Sequence, residues 1–231
     1  MSRSKNDDVR GVNAPGVRPA PGALASDLRT RAPQDVRRAV VAELERMERA
    51  EDVRVLLAVE SGSRAWGFAS PIVYAEDPVF AVVRELAADC FSPVASAHHY
   101  LSMGRNHLAA LAGETVRLKK CLYTMRAILA ARWVVAERAP APMLLRDLVD
   151  AGLEEPMRGL AAELLEAKTA GGERGELPRI AALNAWAAGA LAQVTGALAD
   201  VEPPAPVPWE RLDEAFLALV GPAAWRGRTG V

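Results

Sequence analysis

Hydrophobic positions first fall into a helical rhythm at Val36, Val40, Leu44 and Met47, in steps of four, four and three. That spacing predicts an amphipathic helix from Pro33 to Ala50. The rhythm then breaks. Val53-Arg54-Val55-Leu56-Leu57-Ala58-Val59 reads as one buried strand, ending at Gly62. After Pro71 the helical pattern returns and predicts helices near 78–90, 93–112, 114–138, 143–151, 154–170 and 177–199. Asp77-Pro78 and Ser92-Pro93 each pair a capping side chain with a proline suited to a first helical turn. Gly113, Gly152 and Gly171-Gly172 are the expected stops. A stiff extended linker spans Pro203 to Pro208, and a last helix, Trp209 to Val220, is expected to dock back through Trp209, Leu212, Phe216 and Leu219.

Composition supports a mainly α fold. Of 231 residues, 51% are hydrophobic but only 5% aromatic, and Ala and Leu dominate the second half. The first 32 residues are rich in Gly, Pro, Ser, Arg and Asp without periodicity, so they read as a disordered tail. The expected organisation is a tail over 1–32, a small α/β portion over 33–71, a helical domain over 72–200, a linker over 201–208 and a C-terminal helix and tail over 209–231. Net charge is −1, which gives no global attraction to nucleic acid or to anionic membrane. Cys90 and Cys121 stand far apart without CxxC spacing, the pattern of two reduced, partly buried thiols. No apolar run reaches the roughly 18 residues of a membrane span, and the N-terminus lacks a signal-peptide core, so a cytoplasmic location and no membrane partner are expected.

Chemistry concentrates after the strand, in Glu60-Ser61-Gly62-Ser63-Arg64-Ala65-Trp66-Gly67-Phe68-Ala69-Ser70-Pro71. A glycine there lets backbone approach a ligand closely, and the following N–H groups suit an anion. Ser63 can donate to a phosphate oxygen and Arg64 can pair with one. The plainer alternative is an ordinary strand-to-helix turn closed by Gly62. The segment is not a Walker A loop, because no Lys-Ser/Thr follows its glycines. Nor is it a nucleophile elbow, which needs Gly on both sides of the serine.

These twelve residues resemble the signature of nucleotidyltransferases of the polymerase-β superfamily, in the RNA-ligase-associated group. Further blocks are similar to that group: Ser70 to Pro78, Phe91-Ser92-Pro93 through His98-His99-Tyr100-Leu101-Ser102-Met103, and Arg117-Leu118-Lys119-Lys120 continuing to Tyr123, Arg126 and Ala131-Arg132-Trp133. The resemblance covers roughly residues 34 to 150. It implies a truncated polymerase-β-like core (helix, strand, Gly-Ser turn) followed by a helical domain. It also implies transfer of a nucleoside monophosphate from an NTP to an acceptor, RNA among the candidates. In the family the turn leads to Ser-Asp-x-Asp, whose carboxylates hold Mg²⁺ for two-metal phosphoryl transfer, with a third carboxylate from a later strand. Here Ser70-Pro71 runs directly into Ile72-Val73-Tyr74, which resembles a family segment well downstream. The intervening strands are missing from the pattern, as though a block had been lost between two Ser-Pro sites.

Mg²⁺ is thus expected for the family, but its ligands are not found in this sequence. Glu76 and Asp77 are adjacent, so they cannot share one strand face as Asp-x-Asp does. Asp77 is better read as a helix cap, and Glu60 as a local capping or pairing group.

The helix over 114–138 carries Arg117, Lys119, Lys120, Arg126, Arg132 and Arg138 against Glu114 and Glu137. Leu118, Leu122, Met125, Leu129 and Trp133 form its expected buried stripe. Lys119, Tyr123 and Arg126 fall at i, i+4 and i+7 on a second face about 100° away. Cations flanking an aromatic suit a nucleotide, with Lys120 adjoining. The resemblance implies that this helix closes the cleft, which would bring Lys119 and Arg126 to face Gly62. The alternative is a solvated basic face. His98, His99 and His107 are spaced wrongly for one metal and read as structural or surface residues, with His98 in the cleft a lesser option.

Two functions therefore stand: a metal-dependent nucleotidyltransferase, or a non-catalytic module binding nucleotide, RNA or protein. One strand without a partner inside 34–71 would leave backbone groups unpaired. That favours a homo-oligomer joined through Val53 to Val59, or a protein partner completing the sheet.

Overall fold

The computed structural model describes residues 34–60, 73–169 and 175–221. Among them are eight helices and two small antiparallel sheets. The first unit is α1 (Gln34–Glu51), β1 (Leu57–Val59), β2 (Val73–Glu76) and α2 (Phe80–Asp89). Then follow α3 (Pro93–Ala109), β3 (Thr115–Arg117), α4 (Leu118–Glu137), α5 (Leu145–Asp150), α6 (Met157–Thr169), β4 (Glu176–Pro178), α7 (Ala181–Leu198) and α8 (Trp209–Val220). No helix of the described residues is long and apolar enough to cross a membrane.

The mainly helical reading holds, and the strand reading needs two corrections. The strand is shorter than Val53 to Val59, and it has a partner in the chain. β2 pairs with β1 antiparallel, matching Leu57 to Glu76, Ala58 to Ala75 and Val59 to Val73, with an irregularity after Ala58. Bare β1 backbone needs a ladder, and Val73-Tyr74-Ala75 is the next extended apolar run. Asp77 N–H extends the ladder to the Leu56 carbonyl at 3.0 Å. Arg37 of α1 donates to the carbonyls of Val73 (3.0 Å) and Tyr74 (3.4 Å), tying helix to sheet. No residue of α1 is fully buried, and Leu57 and Val59 stay exposed.

The second sheet was unexpected. Thr115 pairs with Pro178, Val116 with Leu177 and Arg117 with Glu176, taking residues the periodicity gave to the starts of two helices. Val116 is buried there. A β-branched Thr-Val pair and a proline both resist helix interiors, so they pair with each other at the base of α4 and α7.

The core surrounds α4. One side packs Leu118, Leu122, Met125 and Leu129 against α5 and α6, through Leu145, Leu148 and Leu164. The other packs Ile128, Ala131 and Val134 against α3 and α7, through Ala97, Leu101, Ala187 and Leu191. The stripe expected on α4 is buried, with Trp133 half-buried at its end, but so is most of the rest of this helix. α4 is the hub of the bundle rather than an amphipathic surface helix.

Helix starts follow the expected grammar. The Ser92 hydroxyl accepts from Ala95 N–H at 3.2 Å. Asp77 accepts from Val79 N–H at 2.9 Å, although the helix proper begins at Phe80. α8 packs on α2, and Arg211 donates to Asp89 at 2.6 Å. Leu212 and Leu219 are half-buried there, as expected, with Ala215 buried; Trp209 and Phe216 instead stand in solvent. Cys121 is buried, and burial pushes its thiol up; Cys90 is exposed, contrary to expectation.

Candidate functional site

α4 begins where β3 ends, so its first two turns are fixed by the β3–β4 pairing below and by α6 beside it. Lys119, Tyr123 and Arg126 come to line one small pocket with Leu122, Leu145, Leu165 and Lys168. Three basic residues and a tyrosine thus line it together with three leucines, and no carboxylate is among the lining residues. Lys119 Nζ stands over the Tyr123 ring, 5.4 Å from its centroid. The His107 ring leans on the same tyrosine at 5.7 Å. Burial lowers the His107 pKa, with the Lys120 charge adding to it. Lys120 is half-buried and is not among the residues lining the pocket.

Arg126 departs most from a surface reading, at only 3% exposure. Its Nε donates to the Met143 carbonyl at 3.2 Å. Burial draws its pKa below the usual arginine value, opposed by the Tyr100 phenol beside it. Lys168, from α6, is 8% exposed and was missed. Its signal was legible: Met157, Ala161, Leu164 and Lys168 share one stripe at steps of four, three and four, so a cation occupies an apolar position. Two nearly buried cations, Arg126 and Lys168, thus line the same pocket as Lys119.

Gly62, Ser63 and Arg64 lie outside the described residues, and so does the expected approach of Lys119 and Arg126 to that turn. The acids flanking the segment are described, and each is engaged. Tyr74 O–H donates to Glu60 at 2.7 Å. Glu76 pairs with Arg84. Arg54 Nε donates to Asp77 at 2.6 Å, and this bond, more than the Val79 N–H, holds the Asp77 carboxyl below its ordinary value. Residues 61–72 contain no Asp or Glu. Among the described residues no cluster of three His, Cys, Asp or Glu side chains could hold a metal ion. Neither the described residues nor residues 61–72 thus supply the carboxylates of the Mg²⁺ pair that the resemblance implies. His99 packs edge-on against Tyr100 at 5.5 Å, consistent with a structural role.

Arg132, counted with the basic face, serves the bundle instead. It donates to both oxygens of Glu154 and to Gln193, while Trp186 Nε1 donates to Glu154 at 3.1 Å. The Arg132 hydrogen bonds are the chief cause that holds Glu154 down at about 2.

Comparison with known proteins adds an independent line. The model of a family described as the RNA repair pathway DNA polymerase beta family, RlaP, matches residues 36–71 and 69–218. The two matched segments meet at Ser70-Pro71. The Bacillus subtilis (strain 168) protein YcgL, itself described as uncharacterized, is 26% identical over 200 residues, taking in 58% of this chain and 77% of YcgL. Of 231 residues, 58% is about 134, well short of the 200 over which the match runs. No solved structure matches.

Proposed function

The chain belongs to the RNA repair pathway DNA polymerase beta family, and on that premise we propose that it is a degenerate nucleotidyltransferase in a cytoplasmic RNA-repair setting, binding the phosphates of an NTP or RNA end without catalysing transfer. The observation that carries this reading is the fate of the carboxylates. Glu60, Glu76 and Asp77 are the acids flanking the Gly-Ser turn, and Tyr74, Arg84 and Arg54 hold them. Glu76 and Asp77 neutralise arginines, which makes them poor ligands for a second cation, and Glu60 is engaged by a neutral hydroxyl. Without metal, the ion that would neutralise charge on the transferred phosphoryl group and position the attacking hydroxyl is missing.

The two-segment family match and the shorter span on this chain support loss of the block that would carry Asp-x-Asp, joined at Ser70-Pro71. Phosphate binding survives on separate groups. Gly62, Ser63 and Arg64 offer backbone N–H groups, a hydroxyl and a cation. Lys119, Tyr123, Arg126 and Lys168 bring three cationic side chains and an aromatic ring to one pocket, with Lys120 adding positive charge on the same helix. Lys119 already covers the Tyr123 face, so a base stacks there only when Lys119 moves onto phosphate.

The test is a pair of measurements. Titration with NTP and with 5′-phosphorylated RNA, with and without Mg²⁺, is expected to show binding that Mg²⁺ does not strengthen and that Lys168→Ala weakens. Incubation with α-labelled NTP and RNA is expected to transfer no label. Mg²⁺-dependent transfer abolished by Ser63→Ala would overturn the reading in favour of an active enzyme.

A further inference from the structure

α8 carries two apolar faces, and α2 covers one of them. Leu212, Ala215 and Leu219 form the covered side, locked by Arg211 on Asp89. Trp209, Phe216 and Val220 follow at steps of seven and four, a straight stripe about 90° round the helix from the covered side. They are 77, 62 and 46% exposed, and Leu217 beside them is 57% exposed. Together they present an apolar patch on the order of 500 Å², at the upper end for an unpartnered soluble surface.

Charge decides what covers it. Glu210, Asp213 and Glu214 lie along one flank of the stripe, on the side away from α2. Arg211, the one cation of the helix, lies across the axis and is held by Asp89. Two copies meeting through this face would bring six carboxylates together, and RNA or an anionic bilayer would meet the same repulsion. A basic apolar surface satisfies both the stripe and its flank.

We infer that α8 is a docking helix for another protein, taking an amphipathic helix whose apolar face covers Trp209, Phe216 and Val220 and whose Lys/Arg flank meets Glu210, Asp213 and Glu214. The pair would bury about 1,000 Å² in total, the size of a transient complex. This is independent of phosphate binding, because none of these residues lines the α4 pocket.

The probes are two synthetic amphipathic helices with the same leucine face, one flanked by Lys and one by Glu, titrated calorimetrically into the full chain. The Lys-flanked helix is expected to bind one to one. Trp209→Ala, Phe216→Ala, the triple change Glu210→Gln/Asp213→Asn/Glu214→Gln, or raised salt should each weaken it about tenfold. The first two side chains stand in solvent, so circular dichroism should stay native in both variants. Equal binding of both probes, or binding indifferent to Trp209→Ala, would overturn the proposal. So would a dimer in sedimentation that Trp209→Ala dissolves, making the occupant a second copy, or RNA or anionic vesicles binding through Trp209 and Phe216.

Discussion

Arg132 and Glu154 form a two-pronged pair, with Nη1 3.0 Å from one carboxylate oxygen and 3.2 Å from the other. The same guanidinium lies over the Trp186 ring at 5.6 Å, and Trp186 donates to the same carboxylate. One clasp thus joins α4, the segment before α6, and α7. Glu154 is held at about 2 against an ordinary 4.5, so its contribution is fully present above about pH 4.5 and is lost as pH falls toward 2. Half of its side chain is exposed, and solvent screening reduces the contribution to about 1 kcal/mol. Glu154→Gln should lower Tm by about 2–4 °C at neutral pH, and the gap from wild type should close as melts approach pH 2.

The second prediction concerns the contact of α3 with α4 and α7. A Cβ on Gly104 would lie 3.0 Å from Leu191 Cδ2 and 3.3 Å from Ile128 Cγ1. Helix propensity favours replacing this glycine, but the packed wall opposes it. For Gly104→Val the wall wins, since a branched side chain cannot fit beside both neighbours. A loss of about 1–3 kcal/mol in denaturant unfolding is expected, with Gly189→Ala, whose Cβ meets nothing, neutral or stabilising by comparison.

These two sites show what periodicity can and cannot reveal. α3 and α8 were legible because Ser92-Pro93 opens one and a linker isolates the other. β2 was not, because Val73-Tyr74-Ala75 is too short for a pattern and became a strand only by meeting β1. Long-range pairing of this kind overrides local preference. β3 failed likewise, since Thr115 and Val116 fit either a helix start or a strand until Leu177 is opposite. On α4 the apolar stripe was right, but the helix is packed on a second side as well, so the basic face read through Lys119, Tyr123 and Arg126 is split: Lys119 is exposed and Arg126 is buried. Lys168 escaped for the opposite reason: a cation in an amphipathic helix reads as surface until its stripe is traced.

The third prediction tests how the pocket opens. Lys119 Nζ lies over the Tyr123 ring. Cation–π contact at an exposed site is worth about 0.5–1 kcal/mol, less than a charge-assisted bond to phosphate. Lys119 should therefore leave the ring when a nucleotide binds. Lys119→Ala should weaken NTP binding by about tenfold and flatten its salt dependence in calorimetric titrations. Tyr123→Leu should weaken it less, and equally for purine and pyrimidine nucleotides if the base does not stack.

The last prediction separates anion binding from folding at Arg126. A buried guanidinium is an expensive way to hold the Met143 carbonyl and the Tyr100 phenol, and replacing such a cation with an apolar side chain of similar length is often neutral or stabilising. Met143 is itself exposed, so water can take over its carbonyl. If Arg126 is retained to bind an anion, Arg126→Met should keep or raise Tm while cutting affinity for NTP and 5′-phosphorylated RNA by at least about tenfold. If it is retained for the bundle, the order reverses: Tm falls by several degrees and affinity follows only as far as the folded fraction does. Lys168→Met provides the parallel case on α6, and the two should act non-additively if both cations hold one phosphate. Thermal melts and titrations on the same four proteins, wild type, each single variant and the double, decide between the two outcomes.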